Sequence, residues 1–317
     1  MLQSQDRASL KNASIGLGII AAVEVPEGHW EAFLQTMADN STSDTYEYRL
    51  ASVQTMGMMV EFLDEYIGKQ LRNEQIGQVL HSTICNLDPT SKDLALIAIK
   101  ALQRTIPSTG ANFQNKDQRD FIMDGLFRAM AIDDEEEIQT CALQALSEVP
   151  AIGYETLAEY VPRIGEITVR FMQGKEATYS QARAILYFWQ QLCEQELQKQ
   201  SEGTSINIIA QYKDSLLPII FDGLNITELD DEEPDIEESQ DEMSWTVSRA
   251  AASLLVEVAK LLGDQILDET IAFAGQKLNS QSWQDHHVGM MALSSVMEGP
   301  TQHALVASLT PAYATIF

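Results

Sequence analysis

At 317 residues the chain is long enough for two ordinary domains or one array of repeats. Its 47 acidic side chains against 20 basic ones give a net charge of −27. That balance excludes duplex nucleic acid as a natural partner, because affinity there comes from Lys and Arg neutralising phosphates, and it favours a basic protein segment instead. No run of about 18 uncharged apolar residues occurs, so no membrane span is expected. The N-terminus, Met1-Leu-Gln-Ser-Gln-Asp, lacks the basic-then-apolar layout of a signal peptide.

Helical periodicity runs through almost the whole chain, and no sustained period-2 run marks a strand. The first helix is expected over 7–23, rich in Ala, Gly and Ile. Pro26-Glu-Gly breaks it, and a short helix follows over 29–37 with Trp30, Phe33 and Leu34 on one face. After the loop Asn40-Ser-Thr-Ser-Asp-Thr come helices over 46–63, 76–86 and 92–105, the last capped by Ser91. Pro107-Ser-Thr-Gly separates these from helices over 116–131 and 135–149, the second carrying Asp133-Asp-Glu-Glu-Glu at its positive dipole end. Longer helices are expected over 154–172 and 177–198, then over 206–224. Beyond an acidic run the pattern resumes over 244–262, 265–278, 283–297 and 303 to the end.

Alternate helices start at roughly the 40–47 residue interval of HEAT repeats. Val161-Pro-Arg-Ile, Leu217-Pro-Ile-Ile and Thr310-Pro-Ala-Tyr each place Pro within an apolar helix, where it bends the helix by removing a hydrogen bond. The expected fold is therefore all-α, a right-handed HEAT-repeat solenoid of stacked antiparallel helix pairs. Residues 1–317 form one continuous array of about seven repeats, with an acidic loop inserted at 228–242. The apolar tail Ala312-Tyr-Ala-Thr-Ile-Phe stops in mid-pattern and the start falls inside a helix, so a piece of a longer solenoid is expected.

Motifs for catalysis are missing. Gly16-Leu-Gly-Ile-Ile-Ala nearly fits a dinucleotide fingerprint, but its glycines lie inside a helical pattern with no preceding strand, where they serve close packing. His286 and His287 are adjacent on a helix and point in different directions, with no ligand-type neighbour three or four residues away. No Walker loop, His-Glu-x-x-His or Gly-x-Ser-x-Gly is present. No catalytic residue, metal ligand or cofactor is assigned, and an enzyme is not expected. Cys85, Cys141 and Cys193 each sit in an apolar helical pattern and are expected to be buried free thiols in a reducing compartment.

Two features bear on binding. Residues 228–242 carry ten carboxylates, among them Asp230, Asp231, Glu232, Glu233, Asp235, Glu237 and Glu238, and Trp245 follows closely. Such a block is either a solvated loop or a grip for Lys and Arg, by ion pairing and by cation–π contact with the indole. Leu80 and Ile84 share one helix face, with Phe121 and Ile122 on the next outer helix and Tyr160 on the one after. These line either a slot for an aromatic side chain of an extended peptide or plain inter-repeat packing.

Several stretches resemble the importin-β (karyopherin-β) family. Ile20-Ala-Ala-Val-Glu-Val-Pro-Glu-Gly-His-Trp is similar to its Ala-Glu-Ile-Pro segment with a following Trp. Ala111-Asn-Phe-x5-Arg-x-Phe-Ile-Met is similar to its Asn-x5-Glu-Arg-x-Phe-Ile-Met stretch. Phe188-Trp189 with Cys193-Glu-Gln-Glu, the acidic run with Trp245, and Trp283 with Val296-Met-Glu-Gly-Pro follow in the family's order. The resemblance implies nuclear import by a segment from about the third to the ninth HEAT repeat, at home in cytoplasm, nucleus and nuclear pore. It implies phenylalanine–glycine nucleoporins at Leu80, Ile84, Gln118, Phe121 and Ile122, with Tyr154 and Tyr160 near a second site. It implies the basic importin-β-binding domain of importin-α, or basic cargo, against Glu194, Glu196, the acidic run, Trp245 and Trp283, with Ran-GTP competing and binding this segment weakly. Gln118 stands where the family usually has Glu, and Gln284-Asp-His-His lacks the family's Arg-rich pattern. A HEAT scaffold of a complex unrelated to transport is the alternative, and it has less need of the acidic run.

Overall fold

The computed structural model describes residues 7–68, 70–173, 177–226 and 246–316. The acidic run and Trp245 lie outside the described residues. Every regular element among those described is helical, and they divide between two compact units, Met1–Thr156 and Leu157–Phe317.

The first unit holds α1 (Arg7–Glu24), α2 (Ala32–Ser41), α3 (Tyr46–Phe62), α4 (Asn73–Ile84), α5 (Lys92–Thr105), the short α6 (Gly110–Gln114), α7 (Lys116–Met130), α8 (Glu136–Ser147) and the start of α9 (Val149–Leu157). Helices α1, α3, α5 and α8 lie side by side in one layer, and α2, α4 and α7 form the other. Across the layers α2 pairs with α3, α4 with α5, and α7 with α8. Helix α3 is clasped by α1, α2 and α5, so it buries residues all round, from Leu50 through Val60. Phe33, Leu34 and Met37 of α2 close on Met56 and Met59 of α3, Ala21 and Ala22 of α1, and Val79 of α4.

The second unit holds α10 (Val161–Gln173), α11 (Tyr179–Ser201), α12 (Ile208–Asn225), α13 (Val247–Leu262), α14 (Leu267–Leu278), α15 (Trp283–Ser295) and α16 (Gln302–Ile316). The same plan recurs. Helices α10 and α11, α12 and α13, and α14 and α15 pair as hairpins, and α13 lies between α11 and α15 in one layer. Helix α13 shows why: Val247, Ala250, Ala251, Leu254, Leu255, Val258, Ala259 and Leu262 are buried at helical spacing and make one continuous stripe. Antiparallel pairs stacked in two layers are the HEAT-repeat arrangement, in which each pair buries its faces against its neighbours.

Several local expectations need correction. The helix expected over 154–172 is two helices, α9 with non-helical backbone at Gly153, and α10. Pro162 is consequently the second residue of α10, where its missing N–H has no intrahelical partner to lose, and it bends nothing. Pro218 does lie inside α12, and α16 runs through position 311. Helix α2 starts at Ala32, because residues 25–31 are spent in turns. Ser91 occupies the cap position of α5 without a side-chain cap bond. Gly18 behaves as the packing reading requires, since a Cβ there would come within 2.6 Å of Met58 Cβ and 3.0 Å of the Thr55 carbonyl.

Candidate functional site

Two surfaces gather the residues singled out in the sequence, one in each unit. The first lies between α4 and α7. Gly125 of α7 faces Ile84 of α4, and a Cβ there would sit 2.9 Å from Ile84 Cγ2, so the helices close tightly at this point. The expected open slot is therefore shut where Ile84 meets Gly125. Leu80, Ile84 and Ile122 are all buried, Ile84 to 0 % exposure. Of the expected slot residues on these two helices, Phe121, 36 % exposed, and Gln118 face outward. The Phe121 ring stacks on His81, with centroids 6.1 Å apart and planes 22° from parallel.

What remains open beside that ring pair is a cleft of about 630 Å³, lined from α2 by Gln35, from α4 by Asn73, Gln78 and His81, and from the α6–α7 corner by Asn112 and Gln118. Carboxamides dominate it. Asn115 caps α7, its side chain accepting the Gln118 N–H at 3.2 Å. Asn112 Nδ2 donates to the Asn73 carbonyl at 3.2 Å and to Gln118 Oε1 at 2.9 Å. Across the cleft Gln78 Nε2 donates to Gln35 Oε1 at 3.2 Å. Sequence reasoning picked Gln118 and missed the rest of this amide cluster. The signal was the spacing Asn112, Asn115, Gln118, which places three amides around one helix start.

Cys85 corrects another expectation. It is exposed at the end of α4, with Sγ 3.7 Å from His81 Nδ1, whereas Cys141 and Cys193 are buried. Exposed as the residue is, partial burial of the sulfur pushes its thiol pKa up, with the Arg128 charge opposing. Tyr154 is buried in the first unit, and Tyr160 is half-buried in the turn before α10 of the second.

The second surface is the α11–α13–α15 layer. Glu194 of α11 is exposed and accepts from Gln190 Nε2 at 3.2 Å and from Gln191 Nε2 at 3.0 Å. Glu196, two residues on, is turned inward and only 1 % exposed. Its carboxylate accepts the Ile208 N–H at 2.7 Å and the Ile209 N–H at 3.2 Å, satisfying the open start of α12. The residue before that helix, Asn207, has φ +55° and makes no cap bond of its own, so the carboxylate of the previous helix does the work. An adaptor cannot reach Glu196, and that expectation fails for a packing reason. Trp283 opens α15 and stands 72 % exposed. Lysines of the neighbouring helices α12 and α14 are engaged with acids. Lys213 pairs with Glu269 at 2.7 Å and Lys277 with Asp285 at 2.7 Å, and each hydrogen bond holds the carboxyl of its acid below the usual range.

Among the described residues no group of three or more His, Cys, Asp or Glu side chains can hold a metal ion. His286 instead lies 2.6 Å from the Ser280 carbonyl. Among the same residues no helix is long and apolar enough to cross a membrane.

Comparison with known proteins relates the chain to one group of proteins. No family model matches the sequence. Importin subunit beta-1 of Arabidopsis thaliana is 25 % identical over 308 residues, covering 95 % of this chain and 34 % of the relative. Importin subunit beta-1 of Schizosaccharomyces pombe is 26 % identical over 326 residues, covering 98 % of this chain and 36 % of the relative. The chain thus spans about a third of the length of the curated relatives it matches. Among solved structures, importin β crystallised in a polyethylene glycol condition matches with a TM-score of 0.81 at 21 % identity, over 98 % of this chain and 38 % of that one. A Kap95:Nup1 complex matches at 0.77 and 22 %, over 94 % and 34 %. Kap95p bound to RanGDP matches at 0.77 and 21 %, over 96 % and 36 %. The resemblance to importin β covers nearly the whole chain in sequence, and the fold is that of its HEAT repeats.

Proposed function

We propose that this chain, similar to importin β along nearly its whole length, works in nuclear transport as a non-catalytic carrier moving between cytoplasm and nucleus through the pore. The observation that carries the reading is the sequence likeness to importin β subunits over at least 95 % of the chain. The Phe121–His81 ring pair, exposed at the mouth of the α4–α7 cleft, is the docking point for the aromatic side chain of a phenylalanine–glycine nucleoporin. Gln118 contacts the peptide there, while Leu80, Ile84 and Ile122 form the buried floor that holds the two helices in place. Tyr160, half-buried in the turn before α10, marks a second, separate nucleoporin contact, and Tyr154, buried in the first unit, does not reach a nucleoporin. Binding at each site is weak, since transit needs fast release, and repetition along the receptor keeps it in the pore.

The α11–α15 layer takes the basic partner. Glu194, the carboxylates of 228–242 and the indoles of Trp245 and Trp283 attract an Arg- and Lys-rich segment of the importin-α type or a basic cargo. Support comes from the net charge of −27 and from the exposed Glu194 carboxylate and Trp283 indole on this layer. Ran-GTP competes for this surface and binds this segment weakly.

One experiment tests both halves. The chain is passed over immobilised phenylalanine–glycine repeats and, separately, over an immobilised Arg-rich peptide. Retention on both at low salt is the expected result. Passage through both columns without delay overturns the transport reading.

A further inference from the structure

In the second unit the C-terminal ends of α10 and α12 meet the start of α11 around a cleft of about 730 Å³. Met172 lines it from the last turn of α10, Ala177 and Tyr179 from the start of α11, and Asp222, Asn225 and Ile226 from the end of α12. Asp222 is half-buried, and among the described residues it has no hydrogen-bond or ion-pair partner. Burial pushes its carboxyl pKa up, and no neighbouring charge lowers it. Other acids of this unit are provided for: Glu269 pairs with Lys213 and Asp285 with Lys277, each at 2.7 Å, and the buried Glu196 accepts backbone N–H groups. A carboxylate that loses water in a cleft without compensation is the exception among them.

Tyr179 lines the same cleft at 49 % exposure, and its ring makes no aromatic contact among the described residues. The ring is not needed to hold the helix start. That is done by the capping box, in which the Gln181 N–H donates to Thr178 Oγ1 at 3.3 Å and Gln181 Oε1 accepts the Thr178 N–H at 3.0 Å. Met172 is buried and Ile226 half-buried, which gives an apolar wall for an aliphatic stem. An unpaired carboxylate, an open ring and an apolar wall in one cleft match a guanidinium carried on a hydrocarbon stem. Its planar fork pairs with a carboxylate through two N–H groups, and its flat face stacks on a ring. An ammonium is more strongly hydrated and suits a half-buried carboxylate less well. The volume exceeds that of one side chain, so the ligand is a short segment of chain and not a free ion.

We propose that this cleft receives an arginine side chain of a partner protein, with Asp222 as the paired acid, Tyr179 as the stacking surface, and Met172 and Ile226 along the stem. The site is separate from the α11–α15 layer, because Tyr179 and Glu194 lie roughly 15 residues apart on α11, or about 22 Å along its axis. It holds whether or not the chain works in transport.

The test is photo-cross-linking of the whole chain with a capped Gly-Arg-Gly peptide carrying a diazirine, with the adducts located by mass spectrometry. Adducts are expected on residues 172–173, 177–179 and 222–226. A citrulline peptide, of the same shape and without the charge, should label these positions about three- to tenfold less. Asp222→Asn should lower labelling by the arginine peptide by a similar factor and remove its advantage over citrulline. Tyr179→Leu should lower it about two- to fivefold. Both side chains are partly exposed, so both variants should fold, and adducts elsewhere on the acidic surface should stay at the wild-type level in each. Lys175, soon after Met172 in the sequence, is the competing occupant within the chain. Lys175→Ala should leave labelling of the cleft unchanged, and a severalfold rise would make that lysine the resident cation and overturn the proposal. Equal labelling by the arginine and citrulline peptides, or by Asp222→Asn and wild type, overturns it as well. Neither result bears on retention by phenylalanine–glycine repeats, which tests the transport reading separately.

Discussion

On α7, Phe121 faces out and Ile122 is sealed in; on α11, Glu194 faces out and Glu196 is sealed in. The pairs differ in chemistry and agree in logic. Residues one or two apart on a helix point in directions about 100° and 200° apart, so one member serves packing and the other is left for a partner. In the first unit the inward member fills apolar space made tight by Gly125. In the second it satisfies the backbone start of the next helix. The difference teaches that residue type does not assign the role. An apolar side chain is the outward candidate in one place, and a carboxylate is the structural element in the other.

The largest expected effects come from striking the inward members. Ile84→Asp places a carboxylate at a position with 0 % exposure, where the Arg128 guanidinium is already spent on the Ile84 carbonyl at 3.3 Å, and should lower unfolding stability by about 3 kcal/mol or more. Loss of nucleoporin capture in that variant would report unfolding, not the groove. Phe121→Ser, on a half-exposed ring, should cost about 1 kcal/mol and still reduce capture. Urea unfolding of both variants separates them. A mild effect for Ile84→Asp would mean that the α4–α7 seam opens easily and that the buried slot is accessible after all.

Next in size is the carboxylate pair. Glu196→Ala strips two N–H groups of α12 of their shared acceptor and should cost about 3 kcal/mol. Glu194→Ala removes an exposed side chain bonded to glutamines of its own helix, and should change stability by no more than about 0.5 kcal/mol. Retention on a basic peptide should show the opposite order among folded variants, with Glu194→Ala the weaker binder. If both variants melt alike, the division of labour along α11 is wrong.

Smaller, and distinguishing the two surfaces directly, is the response to salt. Binding of an Arg-rich peptide should fall by roughly tenfold or more as sodium chloride rises from about 50 to 300 mM, because the Debye length shortens from about 14 to 6 Å. Capture on uncharged phenylalanine–glycine repeats should change little over the same range. Parallel salt slopes would mean that both ligands bind one surface.

Much of this fold was legible before any coordinates, because burying one stripe per helix imposes a 3.6-residue period that local sequence records. Helices α5, α7, α13 and α15 fall within a few residues of their expected bounds. What escaped was set by contacts distant in sequence. The turn at 158–160 and the fresh start at Val161 split a pattern that reads as continuous over 154–172. Glu196 caps a helix that begins 12 positions later, and nothing near Asn207 reports that its own side chain makes no cap bond. The amide cleft joins α2, α4 and α7, so its lining residues are scattered from Gln35 to Gln118 and share no motif. Burial was the weakest point. Leu80, Ile84, Phe121 and Ile122 look equally apolar in sequence, and only the close approach at Gly125 decides which of them is covered.

The smallest expected effect is at Trp283, and it sharpens the account of the acidic layer. The indole is 72 % exposed at the first position of α15, so Trp283→Ala should leave the melting temperature within about 1 °C of wild type. A cation over an exposed ring contributes about 0.5–1 kcal/mol, so affinity for an Arg-rich peptide should fall only about two- to fivefold. The fall should be less sensitive to salt than that of Glu194→Ala, since ring quadrupoles act at contact range and are screened less than exposed charges. A Lys-rich peptide of equal charge should lose less than the Arg-rich one, because a planar guanidinium stacks on the ring and an ammonium does not. No loss for either peptide would make Trp283 an exposed side chain with no part in the grip, and would leave the basic partner held by carboxylates alone.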